Sequence, residues 1–166
     1  MGSTALAWAA KNGHEAIVKI LLGRDDMAPN KLGEDTQTPL SLAAENGHEG
    51  VVKILLGRDG VDPNKPDHNG RTPLWWAARN EHAGVLKLLL GRDDVDPNEP
   101  DMGGQTPLLW AAYHGLEEAV KILLGRDGVN PNEPDRYGQT AFHFGNGHAG
   151  VIALLQPFAP ATHSTA

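Results

Sequence analysis

The sequence predicts an all-α solenoid of about five helix–turn–helix units joined by hairpin loops. Three observations carry this. Thr-Pro-Leu recurs at Thr38-Pro39-Leu40, Thr72-Pro73-Leu74 and Thr106-Pro107-Leu108, with weaker versions at Thr4-Ala5-Leu6 and Thr140-Ala141-Phe142, so one phrase returns every 34 residues. A fixed period of this length marks stacked supersecondary units. Apolar residues fall at helical spacing twice in each period. Prolines and Asn-Gly pairs then interrupt that spacing at matching points of the copies.

The stretch from Thr72 to Gln105 shows each element. The Thr72 hydroxyl is suited to cap a helix, and Pro73 suits the first helical position, where a missing N–H costs nothing. Leu74, Ala77 and Ala78 share one face, and the small alanines permit close approach of a neighbouring helix. Asn12-Gly13 and Asn46-Gly47 close this helix in other copies, because glycine tolerates the left-handed conformation beyond a helix end. A second helix runs through Val85–Leu90 and stops at Gly91. From Arg92 to Asp101, Pro97 and Pro100 forbid helix, so this segment is read as loop or hairpin.

These residues resemble the ankyrin repeat, whose unit reads roughly D-x-x-G-x-T-P-L-H-x-A-A-x-x-G-H, followed by an apolar second helix ending in Leu-Leu. The matches are Asp67, Gly70, Thr72-Pro73-Leu74, Ala77-Ala78, His82 and Leu89-Leu90, with equivalents over residues 4–155. Two features depart from the pattern. The period is one residue longer, with the addition in the Gly-Arg-Asp-Asp/Gly loop, and the usual His after Thr-Pro-Leu is replaced by Ala7, Ser41, Trp75 and Leu109. The loop wording resembles that of long fungal arrays. The resemblance implies a non-catalytic protein-interaction module that holds a protein partner on its concave face.

The units are residues 4–37, 38–71, 72–105, 106–139 and a degenerate 140–155, with 156–166 expected to be a disordered tail. Thr140 to His148 spans two residues fewer than Thr38 to His48, so the last unit has lost the Ala-Ala pair of its first helix. The first unit is apolar on both helices and has no polar cap, whereas terminal units of solenoids normally present a polar outer surface. It is therefore expected either to continue a longer array or to be covered by another chain, self-association included. The turn Leu32–Gln37 lacks Asp-x-x-Gly and is expected to be less regular than its counterparts.

A formal net charge of −7 and the absence of a basic stripe argue against nucleic acid and anionic membrane as partners. The chain has no cysteine, no apolar run long enough for a bilayer and no leader-like start, which fits an intracellular compartment, cytoplasmic or nuclear. His14, His48, His82 and His148 tempt a metal reading. They occupy one slot of successive units, however, which separates them by roughly 10 Å if helices pack at ordinary distances, whereas zinc ligands lie about 2 Å from the ion. They are read as ordering the interhelical turn. Asp25-Asp26, Asp93-Asp94-Asp96 and Asp127 lack the EF-hand spacing and are read as solvated loops paired with Arg24, Arg58, Arg92 or Arg126. No cofactor is expected, nor an enzyme, since groups repeated by translation do not converge on one cavity.

Function is therefore sought in the positions that vary. Ala7, Ser41, Trp75 and Leu109 follow Thr-Pro-Leu, and Lys11, Glu45, Arg79 and Tyr113 stand four residues on, so each pair is one rung of a helix face. With the hairpin tips His68, Asn69, Arg71, Met102, Gln105, Arg136 and Tyr137, this stripe is the expected partner surface. Trp75, Arg79 and Tyr113 form its centre, with Trp75 stacked under Arg79 and flanked by Leu109 and Glu45. Trp8, Trp76, Trp110 and Phe144 share a slot that is always large and apolar, and they are read as core. The alternative function is a structural spacer or self-associating array fragment of a larger multidomain protein.

Overall fold

The structure is a computed structural model that describes residues 4–24, 26–33 and 36–159. Two helices form each unit: α1 (Ala5–Lys11) and α2 (Glu15–Leu22), α3 (Pro39–Glu45) and α4 (Glu49–Leu56), α5 (Pro73–Arg79) and α6 (Ala83–Leu90), α7 (Pro107–Tyr113) and α8 (Glu117–Leu124), α9 (Ala141–Phe144) and α10 (Ala149–Leu155). No strand occurs among the described residues. First helices pack on first helices and second on second, so α3 lies between α1 and α5, and α6 between α4 and α8.

Each first helix starts as its sequence dictates. The hydroxyls of Thr4, Thr38, Thr72 and Thr106 accept from the backbone N–H three residues on, and Pro39, Pro73 and Pro107 occupy the first turn. The alanine pairs Ala9-Ala10, Ala43-Ala44, Ala77-Ala78 and Ala111-Ala112 are wholly buried. Leucines and valines of the second helices, such as Val52, Leu55, Leu86 and Leu89, complete one continuous apolar layer along the array. Burying a side chain of that size contributes about 1.5–3 kcal/mol.

The histidine slot works across units rather than within a turn. His48 Nε2 donates to the Lys11 carbonyl at 3.0 Å, His82 Nε2 to that of Glu45 at 2.9 Å, and His148 Nε2 to that of Tyr113 at 3.1 Å. Each bond fastens the end of one first helix to the following unit. The ring also needs room: a Cβ on Gly13, Gly47 or Gly115 would fall within 3 Å of the next unit's histidine. At the junction of the third and fourth units both partners change together. Glu81 replaces the glycine at φ 53°, and Leu116 replaces the histidine.

The loops form a second inter-unit ladder. Asn30 Nδ2 donates to the Gly60 carbonyl at 2.7 Å while its Oδ1 accepts from Asp62 N at 2.9 Å. Asn64 repeats this with Asp94 and Asp96, and Asn98 with Gly128 and Asn130. Asn132 ends the series on the Phe158 carbonyl at 3.3 Å. That carbonyl belongs to a 3-10 turn, Gln156–Phe158, which continues directly from α10. Residues 156–158 of the tail expected to be disordered form this turn instead, because it closes the ladder; residues 160–166 lie outside the described residues.

Arginines at the loop entrance pair as their neighbours allow. Where the second residue on is Asp, the pair is local, Arg24–Asp26 at 3.0 Å and Arg92–Asp94 at 2.7 Å. Hydrogen bonding to these guanidinium groups holds both carboxyls below the usual Asp range. Where it is Gly128, Arg126 reaches back to Asp93 at 3.4 Å; Arg58, before Gly60, has no ion pair among the described residues. Asp25 lies outside those residues. In the first hairpin turn, Gly33 N donates to the Gln37 carbonyl and Thr36 N to that of Gly33, the same two bonds that Asp67 and Gly70 make. The turn keeps the standard pattern with Thr36 held at φ 61°, although it lacks the Asp side-chain bonds of its counterparts. Glu34 and Asp35 lie outside the described residues.

Glu81→Gly is expected to stabilise the array by about 1 kcal/mol, since a left-handed backbone costs other residues about that much. Gly47→Ala should destabilise it by more, because the added Cβ meets His82 Nδ1 at 2.7 Å. Leu116→His should gain stability only together with Glu81→Gly, a non-additivity that urea denaturation of the four variants measures.

Candidate functional site

The variable rung residues divide into an inner and an outer row. Trp75 is 0% exposed and Leu109 is equally buried, as are Ala7 and Ser41 of the same slot. Trp75 and Leu109 are therefore corrected from direct contact residues to supports beneath the surface. The neighbouring slot was read as core, yet Trp8 is 52% exposed and Trp110 and Phe144 are half-buried; Leu42 and Trp76 alone in that slot are buried. The physical reason is the shortness of the first helices. α5 has seven residues between α3 and α7, and six of them, Pro73 to Ala78, are buried, so apolar spacing carries no phase there.

The outer row is aromatic and cationic. Arg79 is exposed and sits over three indoles, 5.9 Å from the ring centroid of Trp75, 5.1 Å from that of Trp76 and 5.8 Å from that of Trp110. The expected stacking of Trp75 under Arg79 is present, but a closer cation comes from the hairpin: Arg71 lies 4.6 Å from Trp75 and 5.3 Å from Trp76. Rings then continue across three units, Trp75–Trp110 at 4.7 Å, Trp110–His114 at 4.3 Å, His114–Tyr113 at 4.9 Å and Tyr113–Phe144 at 5.3 Å. Tyr113 is 52% exposed at the outer edge of this ribbon.

Carboxylates hold the hairpin tips in shape. Asp67 Oδ1 accepts from the backbone N–H of Asn69 and Arg71, and its Oδ2 accepts from Trp76 Nε1 at 3.2 Å. Asp101 and Asp135 make the same backbone bonds at the next two tips. His68, Asn69, Met102, Arg136 and Tyr137 stand exposed there, while Arg71 and Gln105 are half-buried. Met102 at 60% and Tyr137 at 86% are large apolar bodies in water. Glu45 is half-buried and its Oε2 accepts from Gln37 Nε2 at 2.9 Å.

Two open clefts flank the ribbon. One of about 420 Å³ lies between the first helices and hairpins of the first three units and touches Lys11, Glu45, Asp67, Asn69, Arg71 and Trp76. The other, about 290 Å³, is bounded by Arg79, Trp110, His114 and Leu116. No group of three or more metal-ligating side chains comes together among the described residues. Sequence reasoning missed Trp110 and His114 as members of this face, while Trp76 is buried as expected of a core residue. The signal was present in part, because Trp110 on α7 and His114, the residue that caps its end, stand four residues apart.

The family profile of ankyrin repeats matches the chain in three overlapping copies, at residues 1–67, 56–135 and 94–162. The chain belongs to the ankyrin repeat family. Ankyrin repeats are in general protein–protein interaction modules and are typically non-catalytic. No curated protein matches this ankyrin array as a relative. Among the described residues no helix of the array is long and apolar enough to cross a membrane.

Trp75→Ala is expected to destabilise the ankyrin array by about 3–5 kcal/mol, as for other buried indoles. Trp75→Phe should cost much less, because Trp75 Nε1 is buried without a hydrogen-bond partner and its removal relieves that penalty. Tyr113→Ala should change stability by less than about 1 kcal/mol. Denaturant titration of the three variants checks the order.

Proposed function

We propose that the array binds a protein partner on the face made by its first helices and hairpin tips, with Arg79, Trp110 and Tyr113 at the centre and Met102 and Tyr137 at the rim. The supporting observation is the aromatic–arginine ribbon that crosses three units while its outer members remain exposed. Tyr, Trp and Arg are the side chains that dominate interface energetics, because they bring large area and directional bonds at low entropic cost. Glu45, His68, Asn69, Arg71, Gln105 and Arg136 extend the same face. Trp75 and Leu109 hold its shape from below.

A second reading rests on a separate observation. Ile17 and Ile20 of α2 are 42% and 72% exposed, whereas Val51, Val85 and Ala119, the counterparts of Ile17, are covered by the preceding unit. Such a face suits docking of another helical pair, which is the self-associating or spacer role.

Capture of a partner from native extract by the array should weaken at least about tenfold on Arg79→Ala/Tyr113→Ala substitution with the fold intact, the scale of an interface hot spot. Unchanged capture removes the site assignment. Light scattering tests the second reading: a mass that stays monomeric over a wide concentration range counts against self-association, and Ile20→Lys should abolish any dimer seen.

A further inference from the structure

Arginines on the two sides of the array are treated differently. Three of the four at the loop entrances, Arg24, Arg92 and Arg126, hold a carboxylate. Arg71 and Arg79 on the first-helix face hold none among the described residues, and are packed on indoles instead. Arg71 Nε is buried and has no hydrogen-bond partner among the described residues. Burial of that one N–H without an acceptor costs free energy, while Arg71 as a whole is half-buried and stands at the cleft surface.

Arg71 stands on the wall of the 420 Å³ cleft, beside Trp76, Asn69, Asp67 and Glu45. The two carboxylates of that wall are already engaged. Asp67 accepts two backbone N–H groups and the Trp76 indole N–H, and Glu45 accepts from Gln37. The Arg71 guanidinium and the Asn69 side-chain amide, both on the cleft wall, make no hydrogen bond among the described residues, whereas Asp67 uses both carboxylate oxygens and Glu45 one of its two. Stacking on Trp75 and Trp76 further limits how the Arg71 fork can turn, and a planar fork matches a carboxylate with two parallel bonds.

We propose that this cleft is a carboxylate subsite, in which Arg71 receives an acidic group of a peptide segment lying along the first-helix face. The proposal rests on the reading of that face as a partner surface and names the chemistry it selects. The chain's net charge of −7 opposes long-range approach of an acidic peptide, so the attraction is one of contact and acts on the dissociation rate. Either an Asp or Glu side chain or a chain-terminal carboxylate supplies the same group.

Three fluorescein-labelled octapeptides test it, all built on Leu and Tyr: one with two central Glu and an amidated end, its Gln twin with an amidated end, and the Gln twin with a free terminal carboxylate. Anisotropy should show binding of the Glu peptide or the free-acid peptide, which tells the two sources apart, and none of the amidated Gln peptide. In labelled protein the bound peptide should shift the Arg71 Nε–H and Trp76 Nε1–H resonances. Arg71→Gln should weaken binding at least about tenfold, the scale of a charge-assisted bond, and Arg71→Lys should fall between. Should Arg71→Gln not fold, Asn69→Asp, which adds a carboxylate at the exposed mouth of the cleft, should also weaken the acidic peptide. Equal binding of the amidated Gln peptide, an unchanged affinity in the variants, or no binding of either acidic peptide up to millimolar concentration overturns the subsite. A partner still captured through Tyr113 would then leave the broader face reading in place. A peptide bound through Arg71 alongside a Tyr113-independent partner keeps the subsite and removes that broader reading.

Discussion

The junction between successive units is the constraint on which everything else depends. No helix pair of this size can bury its own apolar faces, so each must be finished by its neighbours. Wholly buried alanine pairs let first helices approach closely, and two sets of polar clasps then fix the translation. Histidine bonds tie the end of one first helix to the next unit, and asparagine amides tie loop to loop. Each clasp is worth only about 0.5–1.5 kcal/mol net. Repeated along the array and combined with apolar burial, they set one spacing and one orientation for all units.

That repetition explains how the side chains of the clasps are distributed. Side chains belonging to the clasps recur by translation and so never gather around one point. The third and fourth units break the sameness, and they do so on the first helices and hairpin tips. Trp75 there replaces the small Ala7 and Ser41 of the first two units, and with Trp110 it raises a surface of arginine and aromatic rings above the alanine layer. Arg71 and Arg79 place their guanidinium groups on indole faces, with no ion pair to either among the described residues. On the opposite side, three of the four loop-entrance arginines hold a carboxylate and the asparagines bridge loop to loop.

The same junction logic accounts for sequence changes that look like decay. Glu81 in a left-handed backbone would be an isolated defect, but it accompanies the loss of the histidine ring that the glycine slot elsewhere makes room for. Glu15 and Glu49 pack where Gly50 and Gly84 leave space in the next unit, and at the third junction Ala83 and Glu118 exchange the large and small roles. The last unit lost part of its first helix, and the turn at Gln156–Phe158 supplies the carbonyl that a further loop would have offered Asn132.

By itself, the sequence determined the all-helical repeat, the unit length, the caps at Thr72 and its counterparts and the stop at each Gly after Leu-Leu. These are local matters of capping, proline geometry and period, and they do not depend on what lies across the array. The tertiary structure alone decided which aromatic residues face outward, that Trp75 and Leu109 are buried while Trp8 and Tyr113 are not, and that Arg71 is the closest cation to the Trp75 ring. A two-turn helix clasped on both sides has nearly all of its residues covered, so its apolar pattern has no phase to read; burial there is set by the neighbouring units, and only their placement in space reveals it.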